Sequence, residues 1–226
     1  GMNLWQSRST LTNVTISGNT GSGMYLNSDN TNHNGNTTLT NSILWGNSAE
    51  EIYWIYSPPS NSITINYSDI QGGEGGIADG GNGTVNWGDG NIDANPLFVD
   101  AANGDYHLSD YSPAIGSGTL TGAPTTDIEG NIRPNPAGSN PDMGAYENAR
   151  SEPLPHNTKI YVSTDGNDNT VGLSTAPFAT IQAAIDYSQD SDTVLVAAGT
   201  YLENINFNGK NIALLGADRE TTIIDG

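Results

Sequence analysis

The feature that most constrains the fold of this chain is an internal repeat. Three segments align with one another, and they begin at Leu11, Leu39 and Ile65, so that successive copies are 28 and 26 residues apart. A second pair of matching segments, 24–26 and 52–54, shares the offset of 28 residues. A unit of this length cannot bury its apolar face until a neighbouring unit stacks on it. The repeat therefore predicts a solenoid with at least two short strands in each coil.

The apolar positions within a repeat, such as Leu11, Val14 and Ile16, are separated by Thr, Asn and Ser. Alternate residues of a strand point to opposite faces, so we expect the apolar side chains of the three segments to form one buried column. A glycine ends each segment and predicts a corner with positive φ; these are Gly18, Gly46 and Gly72. Asn19 and Asn47 follow the first two, and we expect them to form a hydrogen-bonded ladder.

A glycine-rich stretch, 72–83, interrupts the regular repeat. We predict that the whole chain divides into three parts. We expect residues 1–147 to form the last coils of a solenoid and an irregular C-terminal tail, 95–147, that covers its finishing edge. Residues 148–158 are polar and proline-containing, which is typical of a linker. Residues 159–226 are expected to begin a second solenoid. In this part we predict a capping helix over 178–188 and strands over 159–164, 193–196, 204–207, 211–215 and 222–224.

Composition excludes several classes of function. The chain has 25 acidic and six basic residues and a formal charge of −19, so it repels polyanions and nucleic acid is excluded as a partner. It has no cysteine, which removes disulfides, thiolate zinc sites and thiol nucleophiles. No apolar run approaches the roughly 20 residues of a membrane span, so we predict none. No secretion signal opens the chain, and we expect any signal peptide or anchor to lie outside this sequence.

Several motifs in the first part resemble the choice-of-anchor Q domain, which ends pectin-lyase-like β-helices in many secreted bacterial proteins. The resemblance covers residues of about 40–147. Its motifs are YSDIQG at 67–72, GNIDANPLFVD at 90–100, NGDYHL at 103–108, SPAI at 112–115 and DMGAYE at 142–147. They occur in the order found in that family.

The last part, 159–226, is similar to the N-terminal start of another such β-helix, through IYVSTDGND at 160–168, PFATIQAAI at 177–185 and DTVLVAAGTY at 192–201. Together the two resemblances imply an all-β fold, a right-handed parallel β-helix with one short capping α-helix. They also imply a secreted or cell-surface location. They do not imply one activity, because this fold hosts lyases, hydrolases, adhesins and coils without known chemistry.

A catalytic site is not recognisable in the sequence. Polysaccharide lyases of this fold need carboxylates that hold Ca²⁺ and a nearby basic residue that abstracts a proton. Only six basic residues are present, and none falls at repeat spacing beside a stacked pair of aspartates. We therefore assign no catalytic residue. Whether the chain is an enzyme stays open, and we prefer the interpretation that it is not.

Arg133 is the most informative basic residue, because it lies between Asp127 and two further carboxylates, Asp142 and Glu147, in the portion that resembles the family's closing motif. We expect one of these three carboxylates to pair with Arg133 and to hold the irregular tail in place. Loss of that pair should cost about 1.5–3 kcal/mol, as for a charged hydrogen bond.

Four aromatic residues of one repeat are candidates for stacking on sugar rings: Trp45, Tyr53, Trp54 and Tyr56. Alternation places Tyr53 and Trp54 on opposite faces, so a sugar-binding surface can use only part of the set, and packing in the core is the preferred alternative.

The segment around Asp165, Asn167 and Asp168 has the alternating oxygen ligands of a calcium loop, but it lacks the glycine and the final carboxylate of an EF-hand. Capping of a turn by these side chains is the preferred alternative, and Ca²⁺ is the one cofactor that the sequence suggests.

Two functional hypotheses follow. The first is a non-catalytic extracellular β-helix module, structural or adhesive, that contacts polysaccharide or a cell-surface glycan. The second is a fragment of a carbohydrate-active enzyme, a polysaccharide lyase or glycoside hydrolase of this fold, whose catalytic coils lie outside this sequence. Because an open coil leaves unpaired backbone groups over an apolar core, we also expect the coils near 11–16 and 222–224 to stack head to tail, within one chain or between chains.

Overall fold

The computed structural model describes residues 1–5, 8–27, 35–56, 61–81, 83–168 and 170–226, with residues 55 and 56 described by their backbone only. The chain divides into two compact units, Gly1–Leu154 and Pro155–Gly226. The division falls inside the polar stretch 148–158. The part of this stretch that precedes the division is bonded to the first unit, since the Leu154 amide donates to the Asp110 carbonyl at 2.8 Å.

Within these ranges the strands of the first unit's coils pair in parallel, in three sheets that the chain visits in the same order on successive coils. Sheet 1 contains β1 (Met2–Trp5), β4 (Met24–Asn27), β7 (Ile52–Tyr56) and β10 (Ile77–Ala78). Sheet 2 contains β2 (Thr10–Thr12), β5 (Asn36–Thr40), β8 (Ser62–Asn66) and β11 (Thr84–Trp87). Sheet 3 contains β3 (Thr15–Ser17), β6 (Ile43–Trp45) and β9 (Asp69–Ile70). This is a parallel β-helix, as predicted.

The register of the strands confirms the repeat. Leu39 pairs with Leu11 on one side and with Ile65 on the other, as the alignment predicts. The glycines that end the segments have φ of +68° at Gly18, +72° at Gly46 and +80° at Gly72. A side chain at these positions would be strained, so the predicted corner is confirmed.

The prediction of a single buried column is wrong, because each repeat segment bends between two sheets. The bend lies at Asn13, Asn41 and Tyr67, with φ of +53°, +51° and +47°. Asn adopts this left-handed conformation at low cost, which explains its place in the first two coils. The apolar residues therefore form two columns, one in sheet 2 and one in sheet 3. Val14 lies directly after the bend and is only partly buried.

The interior of the first unit is a continuous apolar core to which the three sheets contribute alternate residues. Its fully buried members include Met24, Leu39, Leu44, Ile52, Ile63, Ile65 and Ile70. Each such side chain contributes about 1.5–3 kcal/mol relative to an exposed one. Asn19 and Asn47 form the expected ladder, in which the Asn19 side-chain amide donates to the Asn47 oxygen at 2.7 Å.

The tail of the first unit begins with an antiparallel pair, β12 (Phe98–Asp100) and β13 (Asp105–Leu108), and is irregular afterwards. It lies on the outer side of sheet 3, whereas we expected it to cover the finishing edge. The Asn13 side-chain amide donates to the Asp142 carbonyl at 2.8 Å, and the Ala145 amide donates to Thr15 Oγ1 at 3.0 Å. The physical reason is Ile43, which points out of the coil and needs cover.

A second apolar cluster forms between the tail and sheet 3, and its buried members are Ile43, Leu108, Ala114, Ile115 and Met143. Ile43 is fully buried there although its neighbour Leu44 is fully buried in the main core. Sheet 3 is therefore covered on both faces, and the tail is an integral layer of the first unit.

The second unit contains the parallel strands β14 (Lys159–Val162), β15 (Thr193–Val196) and β17 (Ala213–Gly216), and a second parallel pair, β16 (Gly199–Tyr201) and β18 (Thr222–Ile224). Its helix, α1, spans Ile181–Tyr187 and contacts β14 and β15. The strand predicted over 204–207 does not form. That segment bonds to the helix instead, since the Asn206 amide donates to the Gln182 side chain at 2.7 Å.

Two residues that follow α1 in the chain hold its two ends. Glu203 accepts from the Ile181 and Gln182 amides at 2.8 and 2.9 Å, at the end where a negative charge is favoured. At the other end Lys210 Nζ donates to the Ile185 and Asp186 carbonyls at 2.9 and 2.7 Å. The helix is thus tied to the coil that follows it.

Candidate functional site

The outer face of sheet 1 presents aromatic rings to solvent. Tyr25 and Tyr53 pair in register on neighbouring strands, and their ring centroids are 6.1 Å apart at an interplanar angle of 77°. Trp5 lies on the preceding strand, two residues further along, and is 57% exposed. Because the two tyrosine rings are nearly perpendicular, they cannot both lie flat against one planar ligand. Trp5 and Tyr53 supply rings at two separate points of this face.

The four aromatic residues singled out in the sequence do not form one surface. Trp54 is 3% exposed in the main core, and Trp45 is partly buried against the cluster beneath the tail. Tyr53 points outward and is 36% exposed. The side chain of Tyr56 lies outside the described residues. Alternation separates Tyr53 from Trp54, and the tail covers Trp45.

Sequence reasoning missed two of the rings on this face, those of Trp5 and Tyr25. Tyr25 occupies the repeat position of Tyr53, so its exposure follows from the alignment. Trp5 precedes the first recognised repeat, and its strand is offset from the next by 22 residues instead of 28, since Met2 pairs with Met24. The shorter first coil concealed the match.

The outer face of sheet 2 is a regular array of small, uncharged polar side chains. Thr10, Thr38, Thr64 and Asn86 lie in one column of register partners. Thr12, Thr40 and Asn66 form the next column. Hydrogen bonds link some neighbours, as from the Asn86 side-chain amide to Thr64 Oγ1 at 3.3 Å. The face offers hydroxyl and amide groups, and no charge, at the outward strand positions that the structure describes.

Arg133 lies in the interior of the tail and is paired with Glu147. Arg133 Nε donates to Glu147 Oε2 at 2.7 Å, and the two side chains are 1% and 0% exposed. The other arm of the guanidinium, Nη2, donates to the Gly144 carbonyl at 3.1 Å. The pair joins two irregular segments, and its burial removes Arg133 from any contact with a ligand.

The other two carboxylates accept backbone amides instead of Arg133. Asp142 accepts from Gly116 and Asn148 at 2.8 and 2.6 Å. Burial raises the pKa of Asp142 to about 7, while these amides and Arg133 act in the opposite direction. Burial also acts to raise the pKa of Asp127, but hydrogen bonds, the largest from the Asn131 side chain, outweigh it and lower that pKa. These side chains organise the tail.

Two further buried carboxyls lie in the coils. Asp69 is fully buried in sheet 3, and its Oδ2 has no hydrogen-bond partner among the described residues. Burial raises the pKa of Asp69 well above its usual value, and it also raises the pKa of Glu51. Glu51 accepts hydrogen bonds from the Asn47 amide and side chain, so it ends the asparagine ladder.

The candidate calcium ligands serve the fold of the second unit. Asp168 Oδ1 accepts from the Ala179 and Thr180 amides at 2.7 and 2.9 Å, and Oδ2 accepts from the Thr180 hydroxyl at 3.0 Å. Asp165 and Asn167 lie in the turn before it, where the Asn167 amide donates to the Pro177 carbonyl. In the part of the chain that the structure describes, no three His, Asp or Glu side chains converge as metal ligands.

The histidines of the described residues are bound to carboxylates. His107 lies between Asp105, at 2.6 Å from Nδ1, and Glu129, at 3.2 Å from Nε2. The hydrogen bond to Asp105 raises the pKa of His107, although partial burial opposes it. His156 Nε2 lies 2.7 Å from Asp192. The contact with Glu129 links β13 to the irregular part of the tail, and the contact of His156 with Asp192 links two segments of the second unit. His33 lies outside the described residues.

Comparison with known proteins gives two matches. A family described as a protein of unknown function (DUF1565) matches residues 164–208, the stretch that holds α1 and Glu203. A protein named pectate lyase PEL9 from Emericella nidulans is 36% identical over 74 residues. That match covers 30% of this chain and 18% of the relative, so the chain spans less than a fifth of that protein's length. No solved structure matches the chain.

With the stacked parallel sheets, these matches show a pectin-lyase-like β-helix fold. Among the described residues, no helix is both long enough and apolar enough to cross a membrane.

Proposed function

We propose that this chain is a non-catalytic extracellular β-helix module, structural or adhesive, that contacts polysaccharide through the outer face of sheet 1. The observation that carries the proposal is the exposure of Trp5 and Tyr53 on that face. Aromatic rings combine a flat apolar surface with a polar edge, which suits the alternating apolar and hydroxyl faces of sugars. The resemblance of 40–147 to the choice-of-anchor Q domain supports a secreted or cell-surface bacterial protein.

The environment of the basic residues favours a module over a lyase. Arg133 is buried in its pair with Glu147, and Arg150 Nη2 lies 2.8 Å from Asp110. A guanidinium engaged in this way is not placed to take a proton from a substrate.

Binding to insoluble polysaccharides tests the proposal. The chain should co-sediment with at least one member of a panel of plant and microbial glycans, and Trp5→Ala combined with Tyr53→Ala should abolish the binding. Phe207→Ala is the matched control, because Phe207 is an aromatic residue of similar exposure, 38%, in the second unit. Equal retention of the double variant and the wild type would refute the role of this face.

A second candidate function is part of a carbohydrate-active enzyme, and the match to a protein named pectate lyase favours it. Incubation with polygalacturonate and Ca²⁺ distinguishes the two candidates. We expect no unsaturated product to accumulate in the ultraviolet absorbance assay. Steady accumulation would replace the first proposal with the second.

We also propose that copies of the chain associate head to tail through open coil edges. Ile224 pairs in register with buried Tyr201 and so points inward, yet it is 44% exposed. Met2 lies in β1, the edge strand of sheet 1. It pairs in register with buried Met24 and so also points inward, yet it is 37% exposed. Sedimentation velocity over a range of concentrations should show association that Ile224→Lys removes. A monomer at every concentration would refute association.

A further inference from the structure

The rings on the outer face of sheet 1 have no basic side chain among their outward neighbours on the described strands. The outward neighbours of the rings on described strands are Asn3, Asn27 and Ala78. Glu50 lies near this face, and so does the Gly1 ammonium just before β1, which donates a hydrogen bond to Asn19 at 2.8 Å. Glu50 accepts a hydrogen bond from Ser22 at 3.2 Å, and the Ser22 amide in turn donates to the Tyr25 hydroxyl at 3.2 Å. Asp79 directly follows Ala78.

We infer that the polysaccharide bound by this face is an uncharged one, and not a polyuronate; the inference rests on the proposed function above. A uronate chain laid on Trp5 and Tyr53 would bring one carboxylate with every sugar to a face that has Glu50 and Asp79 nearby. The chain as a whole carries a formal charge of −19, so the long-range field also repels a polyanion. An uncharged glycan meets neither cost and keeps the stacking.

The basic residues of the first unit do not offset this repulsion. Arg133 and Arg150 are paired with Glu147 and Asp110. Arg8 follows Trp5 by three residues and is exposed, but it has a contact of its own. It is therefore the one residue whose removal tests whether a local cation recruits an anionic ligand.

The spacing of the rings predicts the length of the ligand. Trp5 and Tyr53 are two strands apart, so they are separated by about 10 Å along the axis of the coils, and also by two residues along the strand. One pyranose ring cannot touch both. An oligosaccharide should therefore bind by stacking two of its sugar rings, one on Trp5 and one on Tyr53, and a monosaccharide should be a poor competitor.

The adjoining sheet 2 agrees with this assignment. Its outward columns of Thr and Asn, described above, carry hydroxyl and amide groups alone. Such groups exchange hydrogen bonds with sugar hydroxyls without the desolvation cost of burying a charge.

A matched pair of polymers tests the inference: polygalacturonate and its fully methyl-esterified form, which share a backbone and differ in charge. In affinity gel electrophoresis at low ionic strength, with neutral galactan, xylan and mannan alongside, we expect retardation by uncharged polymers and none by polygalacturonate. Tyr53→Ala should weaken the binding about tenfold. Arg8→Gln should leave it unchanged. Ala78→Lys, which adds a cation beside Tyr53, should create measurable binding to polygalacturonate.

Each other outcome contradicts a defined part of the argument. If polygalacturonate retards the protein as much as the uncharged polymers do, or more, the assignment of an uncharged ligand is overturned. Loss of that retardation in Arg8→Gln would identify Arg8 as the cation responsible. In that case the proposal that the chain contacts polysaccharide still stands. Retardation by none of the polymers, for wild type and variants alike, overturns the proposed function itself.

Discussion

Replacement of Arg133 by alanine should remove much of the stability of the first unit. The substitution leaves Glu147 buried at 0% exposure without its partner, and the Gly144 carbonyl loses one of its two hydrogen bonds, keeping the one from the Asn13 side chain at 3.3 Å. Glu147 keeps hydrogen bonds from the Asn135 and Asp142 amides at 2.9 and 3.2 Å, so its charge is only partly compensated.

The magnitude follows from the burial of the pair. Breaking a buried ion pair by removing one partner costs about 3–5 kcal/mol. This exceeds the 1.5–3 kcal/mol expected for one charged hydrogen bond, because the charge of Glu147 is left fully buried. At roughly 2–4 °C per kcal/mol for a chain of this size, Tm should fall by about 10 °C.

Urea unfolding followed by tryptophan fluorescence measures this effect, since Trp45 packs against the cluster beneath the tail and reports its release. Arg150→Ala is the matched control in the same unit, because the Arg150 and Asp110 side chains are 39% and 49% exposed. Exposed pairs contribute little, so the control should unfold like the wild type. If Arg133→Ala and Arg150→Ala have the same midpoint, the reasoning from burial is wrong.

Three further predictions concern other polar groups. Burial raises the pKa of Asp69, Glu51 and Asp142, the last to about 7. Because these carboxyls are protonated more readily in the folded state, the folded state binds more protons than the unfolded state. The free energy of unfolding should therefore fall as pH rises from about 4 to 7. A urea midpoint that stays level or rises over this range would contradict it. Glu203→Gln leaves one of the two helix amides without an acceptor and should lower the free energy of unfolding by about 1–2 kcal/mol. We expect faster hydrogen exchange at the Ile181 and Gln182 amides. Unchanged exchange would exclude the capping role. Asn47→Ala breaks the ladder and should cost about 2–3 kcal/mol in urea unfolding, whereas a cost near zero would mean that water replaces the side chain.

The strand register was predictable because it depends on local information. The offset of the repeats and the alternation of side chains together determine that Leu11, Leu39 and Ile65 stack. The same information determines that Tyr53 faces solvent when Trp54 faces the core. No knowledge of distant contacts is needed for these conclusions.

The bend between sheets 2 and 3 was not predictable in the same way, and other errors follow from it. The left-handed residue Asn41 resets the alternation, so that Ile43 and Leu44 are both buried but on opposite sides of one strand. The position of the tail depends on the outward Ile43, and the burial of Trp45 depends on the tail. The partner of Arg133 was limited to three carboxylates, because irregular backbone gives no period from which to choose among them.

The attachment of α1 also determines the order in which the second unit can form. A helix of seven residues is too short to be stable in isolation. Its N-terminal amides are held by Glu203 and its C-terminal carbonyls by Lys210, both of which come later in the chain. As the polypeptide emerges from a ribosome or a translocation pore, the helix must wait until residue 210 has appeared. We therefore expect α1 to fold together with the strands that follow it in the second unit, and not before them.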